Sequence, residues 1–409
     1  MTTFTAVRRR VQARADSGGS FLVAGAALSV ALLGSNLATP LYPLYRDRFG
    51  FSPFVLTLVF GVYMLVVVPG FALLGPLSDT LGRRAVLALG LLASGAGSAI
   101  LAGAQSTTWL FVGRAVLGLG LPTVMSTAVV TLVKLEPRGD VHRASVAATT
   151  ALLGGSALGP LLAGALAAHL PHPLIFPYVL HLGLVLAALA GVAFMSEPLA
   201  PPSRRRWTPR RPRIGSAPLR PFVAAAGAGA VASAVGGLFV ALVPSFAATL
   251  LGTHDPLVQG AIVALFLFTA MVVQLGWPSR PGPGVTALGV ALLLAGLGGC
   301  ILAGHLGSLP MLIAAAVLSG AGEGLGLMGA LAMVAGMAGI GEAAQVTSAY
   351  YAAIYLATFV VVGAVGALAT QVDLLTAVTV MAVTVGAVSA AALPVLLAAG
   401  PRVNMMDTP

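Results

Sequence analysis

A chain of 409 residues that is 58% hydrophobic and only 8% charged cannot form a water-soluble globule, because soluble domains carry roughly 25% charged residues. The mean hydropathy of +1.00 makes the lipid bilayer its main solvent. The net charge of +10 would suggest nucleic acid in a soluble protein. Here the positions of the charges give it another meaning. The lone cysteine, Cys300, excludes an internal disulfide and any paired-cysteine metal motif.

In chain order, residues 1–20 are basic, with Arg8, Arg9, Arg10 and Arg14. The apolar stretch that follows is too long for a signal-peptide core and has no convincing cleavage site, so it reads as a retained first helix. A spanning helix needs about 20 mainly apolar residues. Twelve such segments are expected, at 21–43, 54–77, 85–104, 109–133, 145–167, 174–195, 222–249, 257–277, 284–304, 310–335, 346–370 and 374–398. Continuous apolar runs, rather than alternation with a period of two, exclude a β-barrel. The longest polar break, 196–220, holds seven arginines and several prolines and cannot bury a core. It reads as a linker between two sets of six helices. The organisation is then a basic cytoplasmic N-terminus (1–20), a first half (21–195), a basic linker (196–220), a second half (221–398) and a short cytoplasmic tail (399–409).

Basic residues set orientation. With the N-terminus inside, eighteen of the 21 lysines and arginines fall on the inner side; Arg46 and Arg48 fall outside and Arg114 lies within a segment. Both termini are therefore expected in the cytoplasm of a cell-membrane protein. The basic loops then sit against anionic lipid headgroups, which accounts for the charge without nucleic acid.

Four segments carry informative motifs. Between the second and third segments the chain reads Gly75-Pro-Leu-Ser-Asp79-Thr-Leu-Gly82-Arg83-Arg84. The fourth contains Arg114-Ala-Val-Leu-Gly118-Leu-Gly120, and the fifth Gly155-Ser-Ala-Leu-Gly159-Pro160-Leu-Leu-Ala163-Gly164. The tenth contains Gly320-Ala-Gly322-Glu323-Gly324. Glu323 is the one acidic residue expected in any span, and Arg114 the one basic residue. A central arginine costs about 2.5–3.5 kcal/mol to insert, so neither is accidental. Glu323 falls deep in the bilayer, where burial favours the neutral acid. Counted from the same end, the two differ in depth by about 12 Å at ~1.5 Å per residue, which argues against a simple ion pair.

Two sixes joined by a basic linker, with these motifs, resemble the major facilitator superfamily, in particular its twelve-helix drug:proton antiporters. The loop resembles that superfamily's G-x-L-(S/A)-D-(R/K)-x-G-R-(R/K) signature, except that Thr80 stands where a basic residue is usual. The resemblance implies an all-α integral membrane fold of two pseudo-symmetric six-helix bundles. It also implies gating by Asp79 and Arg83, with Glu136 or Asp140 as the partner of Arg83. The string at the fifth segment is similar to one associated with exporters. The resemblance further implies a cavity lined by the first, fourth, seventh and tenth helices. Asn36, Ser126 and Glu323 are then the cavity residues, with Arg114 favoured for proton coupling. Tyrosines 63, 350, 351 and 355 are expected as packing or interface anchors, and His181 as a satisfied core histidine. Matching Gly118/Gly120 to Gly320/Gly322 gives a repeat offset of 202, which would place a second, decayed signature loop at 277–286.

The expected function is a proton-coupled antiporter exporting a small drug-like molecule. A proton-coupled importer and a lipid flippase or uncoupled receptor are the alternatives. No nucleotide-binding loop, nucleophile–base set or metal spacing is present in the sequence, so an enzyme, a cofactor and a metal site are not expected. The partners expected are a small molecule, protons and lipids, with the protein a monomer.

Overall fold

The structure, a computed structural model, describes residues 2–74, 77–195, 213–277, 282–339 and 342–398, without the side chains of 2–17, 79, 343 and 344. Twelve helices are long and apolar enough to cross a membrane: α1 (Gly18–Phe49), α2 (Pro53–Leu73), α3 (Arg83–Ala102), α4 (Thr107–Leu135), α5 (Val141–His169), α6 (Phe176–Phe194), α7 (Leu219–Leu251), α8 (Pro256–Gly276), α9 (Pro283–Leu306), α10 (Leu309–Met337), α11 (Gln345–Leu368) and α12 (Leu374–Ala398). Among the described residues there is no strand. Each expected segment has its helix, with ends shifted by a few residues. The largest shift is at α1, which runs on to Phe49, six residues past its expected end.

Local chemistry fixes the ends. Ser52, Asp140, Asp255 and Ser308 each cap a helix N-terminus by accepting a backbone N–H. Gly50, Gly252 and Gly307 close the helices before them in the left-handed conformation. Two spans are irregular. In α1, Asn36 is followed by a tight turn, Thr39–Leu41, before the helix resumes. In α5, a π turn at Thr150–Gly154 precedes Gly155.

The chain alternates between two faces. One, the basic face, carries Arg84, the Lys134–Arg143 loop and Arg213–Arg220; the opposite face carries the loops at 50–52, 103–106, 170–175, 252–255, 307–308 and 369–373. Glycines let helices within each half approach to backbone contact. A Cβ added at Gly97 would meet the Gly113 carbonyl at 2.9 Å, and one at Gly296 would meet the Ala315 carbonyl at 3.0 Å. Likewise Gly90 faces Gly120 O at 3.1 Å, and Gly289 faces Gly322 O at 2.8 Å. These pairs are one packing motif built twice, α3 on α4 and α9 on α10. The offset is 202 between α4 and α10 but 199 between α3 and α9. Referred to α3, the second signature loop falls at 274–283, three residues before the position expected from α4. Residues 278–281 of it lie outside the described residues.

Between the halves, α5 packs on α8 and α2 on α11. Near the opposite face, Gly164 of α5 abuts the Pro256 carbonyl, and Gly260 of α8 abuts the Pro160 carbonyl. Gly61 and Thr57 of α2 meet Phe359 and Gly366 of α11.

Candidate functional site

A cavity of about 350 Å³ lies between the halves. Eight helices supply its walls: α1, α2, α4 and α5 from the first half and α7, α8, α10 and α11 from the second. The expectation of four lining helices was too narrow, because α2/α11 and α5/α8 form the seams along which the halves meet. The cavity reaches toward the basic face, where Thr149, Gln274 and Leu331 line it, while the glycine contacts above shut the opposite face.

Glu323 lines this cavity. Its position on α10 follows from the glycines around it: Gly322 lies against Leu293 and Gly289 of α9, and Gly324 against Ala270 of α8. Those contacts lock the helix while the acidic side chain projects to the cavity. Glu323 Oε2 is buried and, among the described residues, has no hydrogen-bond partner. The other oxygen, Oε1, lies over Gly236 of α7, where there is no side chain to displace it. Tyr350, Tyr351 and Tyr355 of α11 share the wall. Tyr351 stacks on Phe71 of α2 with ring centroids 5.4 Å apart, so the aromatic wall also bridges the seam. These tyrosines, with Tyr63, are cavity residues as well as packing anchors.

Arg114 also lines the cavity, nearer the opposite face, and is 2% exposed. Its Nη1 donates to the Ser35 carbonyl in α1, where the end of the helix leaves carbonyls free. Its guanidinium lies over Tyr63 at 4.7 Å and Phe60 at 5.5 Å. The charge is thus held by a carbonyl and two ring faces, and among the described residues no ion pair joins it to Glu323. Asn36 lines the cavity beside it. Ser126 does not: its hydroxyl donates to the Pro122 carbonyl at 2.7 Å, one turn back on its own helix. This is the ordinary back-bond of a helical serine to the carbonyl four residues earlier.

The exporter-like string serves as a packing face. Gly155 and Gly159 press on the Ser29 and Leu33 backbones of α1, and Gly164 on α8. Thr149 and Ser156, which flank the π turn, and Leu152 and Leu153 within it face the cavity. Sequence reading missed Ser156 and Ser233; small polar residues in glycine-rich helices were the available signal. His181 is fully buried, with Nδ1 2.7 Å from Ser98 Oγ and Nε2 3.1 Å from the Val30 carbonyl, tying α6 to α3 and α1.

On the basic face, Gly75 lies outside the described residues, as does the side chain of Asp79. Gly82 begins α3 with φ +83°, Arg83 is buried and Arg84 exposed. Glu136 pairs with Arg143 at 3.3 Å and accepts from the amides of Arg138 and Asp140, both at 2.7 Å. Asp140 accepts from the amides of His142 and Arg143. Both acids are thus engaged within their own loop.

Two bundles of six spans, meeting around a cavity with one carboxyl group among its described lining residues, define a polytopic membrane protein of the carrier type. Among the described residues no group of three metal-ligating side chains occurs. The Major Facilitator Superfamily profile matches residues 24–287, and the chain belongs to that superfamily, a family of transporters rather than enzymes. It is 31% identical over 147 residues to the acurin A biosynthesis cluster MFS-type transporter of Aspergillus aculeatus, covering 35% of this chain and 26% of that one. It is 31% identical over 150 residues to the multidrug efflux pump LfrA of Mycolicibacterium smegmatis, covering 36% of this chain and 30% of that one. These matches span less than a third of each relative's length. Its fold is similar to that of a bacterial homologue of the human lysosomal transporter Spinster, with a TM-score of 0.67, 14% identity and coverage of 94% and 98%.

Proposed function

We propose that the protein is a proton-driven exporter of a small amphipathic molecule. It would work as a monomer in the cell membrane with its basic face and both termini in the cytoplasm. One observation carries this reading: Glu323 presents to the cavity between the halves a buried carboxyl oxygen that has no partner among the described residues. Such a group needs either a proton or a cationic partner. Binding of one excludes the other, which is the requirement for exchange. The cavity's aromatic and methionine walls suit a lipophilic body. With the opposite face shut, the described state is the one that would load from the cytoplasm. Rocking about the α5/α8 and α2/α11 seams would then turn the cavity outward, where a proton replaces the substrate at Glu323. Two of the relatives, an efflux pump and a transporter of a biosynthesis cluster, favour export.

The test uses proteoliposomes and a panel of fluorescent lipophilic cations. An imposed proton gradient should drive counterflow by wild type and not by a monodisperse Glu323→Gln, which should also exchange the cations more weakly without a gradient. Cotransport with the proton would establish import instead. Movement indifferent to the gradient in wild type would point to a flippase or an uncoupled carrier.

A further inference from the structure

A second cavity lies away from the central one, on the bilayer-facing side of the first half. It is a groove of about 390 Å³ between α3 and α6, lined by Arg84, Ala85, Ala88, Leu189, Val192 and Ala193. The two helices run antiparallel and touch at mid-length, where a Cβ added at Gly95 would lie 3.1 Å from Val185 Cγ1. Toward the basic face they diverge. The alanines there are too short to refill the gap, and no other described side chain enters it. Bilayer, not water, surrounds such a slot, so an acyl chain is the natural filling.

The mouth of the groove is charged. Arg84 is exposed and forms no ion pair among the described residues. It stands in the first turn of α3, which contains no acidic residue and whose N-cap, Gly82, offers no side-chain acceptor. A cation in the first turn of a helix is unfavourably placed with respect to the helix dipole. Both features call for an anion at this point. Arg84 begins a span, so the anion would sit at headgroup depth. We propose that the groove binds an anionic phospholipid, its phosphate at Arg84 and the start of α3 and one acyl chain along Ala85, Ala88 and Val192. Such a lipid would brace α3 against α6 inside the first half, outside the seams along which the halves rock.

The test is native mass spectrometry of the purified full-length transporter equilibrated with phosphatidylglycerol or phosphatidylcholine of the same chains. Wild type should retain phosphatidylglycerol preferentially. Arg84→Gln should lower that preference about five-fold, the equivalent of the ~1 kcal/mol that one basic residue contributes near an anionic surface. Ala88→Leu fills the slot from a half-exposed, lipid-facing position and should lower retention of both lipids. Unchanged phosphatidylglycerol retention in either variant, with each still monodisperse, would overturn the proposal. So would equal thermal stabilisation of wild type by inorganic phosphate alone, which would mean an ion site without a lipid.

Discussion

Gly236 separates the position of the Glu323 carboxyl group from the stability of the helix that carries it. A Cβ placed at Gly236 would overlap Glu323 Oε1 and lie 2.8 Å from Cδ. The obstructing atoms are the free end of a flexible side chain, so the carboxyl group moves and the backbones of α7 and α10 stay. Forcing that side chain off its preferred rotamer costs about 0.5–1.5 kcal/mol. Replacing glycine by alanine inside a helix returns about 0.8–1 kcal/mol. Gly236→Ala should therefore melt within ~1 kcal/mol of wild type. Transport should respond differently. The carboxyl oxygen must retreat by an ångström or more, and displacements of about 1 Å in a positioned reacting group can cost ~10²-fold. Proton-driven counterflow in proteoliposomes should fall at least about ten-fold on that scale. Gly227→Ala is the control on the same helix, because nothing lies within 4 Å of its added Cβ; it should leave counterflow intact. Wild-type counterflow by a well-folded Gly236→Ala would show that coupling does not depend on where this carboxyl group sits.

Other positions give sharper structural readouts. Gly159→Ala drives a methyl into the Leu33 carbonyl of α1, a backbone atom that cannot step aside, and should lower stability by ~1–3 kcal/mol in thermal melts. Gly183→Ala, with open space around it, should instead raise stability by up to ~1 kcal/mol. Gly260→Val wedges α8 off the Pro160 carbonyl near the opposite face. At ~1–3 kcal/mol of overpacking it should shift the population toward a state open there, seen as longer spin-label distances between positions 169 and 254; an unchanged distribution would refute the role of that seam. On the basic face, Glu342 accepts from the Ser216 hydroxyl at 2.6 Å and its amide at 3.0 Å. These bonds hold its carboxyl below the ordinary carboxylate range. The clasp is therefore present above the unfolded-state value and is lost as pH falls through the depressed folded one. Hydrogen exchange at the Ser216 amide should be slow in wild type at neutral pH and fast in Glu342→Gln, and the wild-type protection should vanish on acidification.

The sequence disclosed the twelve spans because a bilayer demands unbroken apolar runs whose lengths leave little freedom. It also singled out Glu323 and Arg114, since intramembrane charges are too costly to be incidental. The cavity's membership was less legible. Ser126 and Asn36 look alike as polar residues in apolar helices, yet the Ser126 hydroxyl turns back onto the Pro122 carbonyl of its own helix, while Asn36 stays on the wall. The tyrosines of α11 were read as anchors because periodicity cannot tell a lipid-facing ring from one that crosses a seam to meet Phe71. The three-residue shift between repeats was hidden for a related reason. It falls between the matched glycines of α9 and α10, and the Gly289–Gly322 and Gly296–Ala315 contacts expose it.

The repeat shows which constraints the two halves share. Gly90 against Gly120 and Gly289 against Gly322 recur because two helix backbones in contact leave no space for a side chain. That constraint is the same in both halves. The polar residues obey no such symmetry. At the offset of 202 that relates α4 to α10, the counterpart of Glu323 is Leu121, which lines the same cavity from the other side. The counterpart of Arg114 is Ala316, which is fully buried. Two equivalent acids facing one cavity would repel each other and each would need its own proton or cation. In the proposed exchange, a single acid opposite a leucine would give the cavity one exchangeable charge and one apolar wall, for a lipophilic cation and a proton to occupy in turn. Leu121→Glu should therefore disrupt exchange even though it restores the symmetry of the fold. A variant with both acids and wild-type counterflow would show that the asymmetry is incidental.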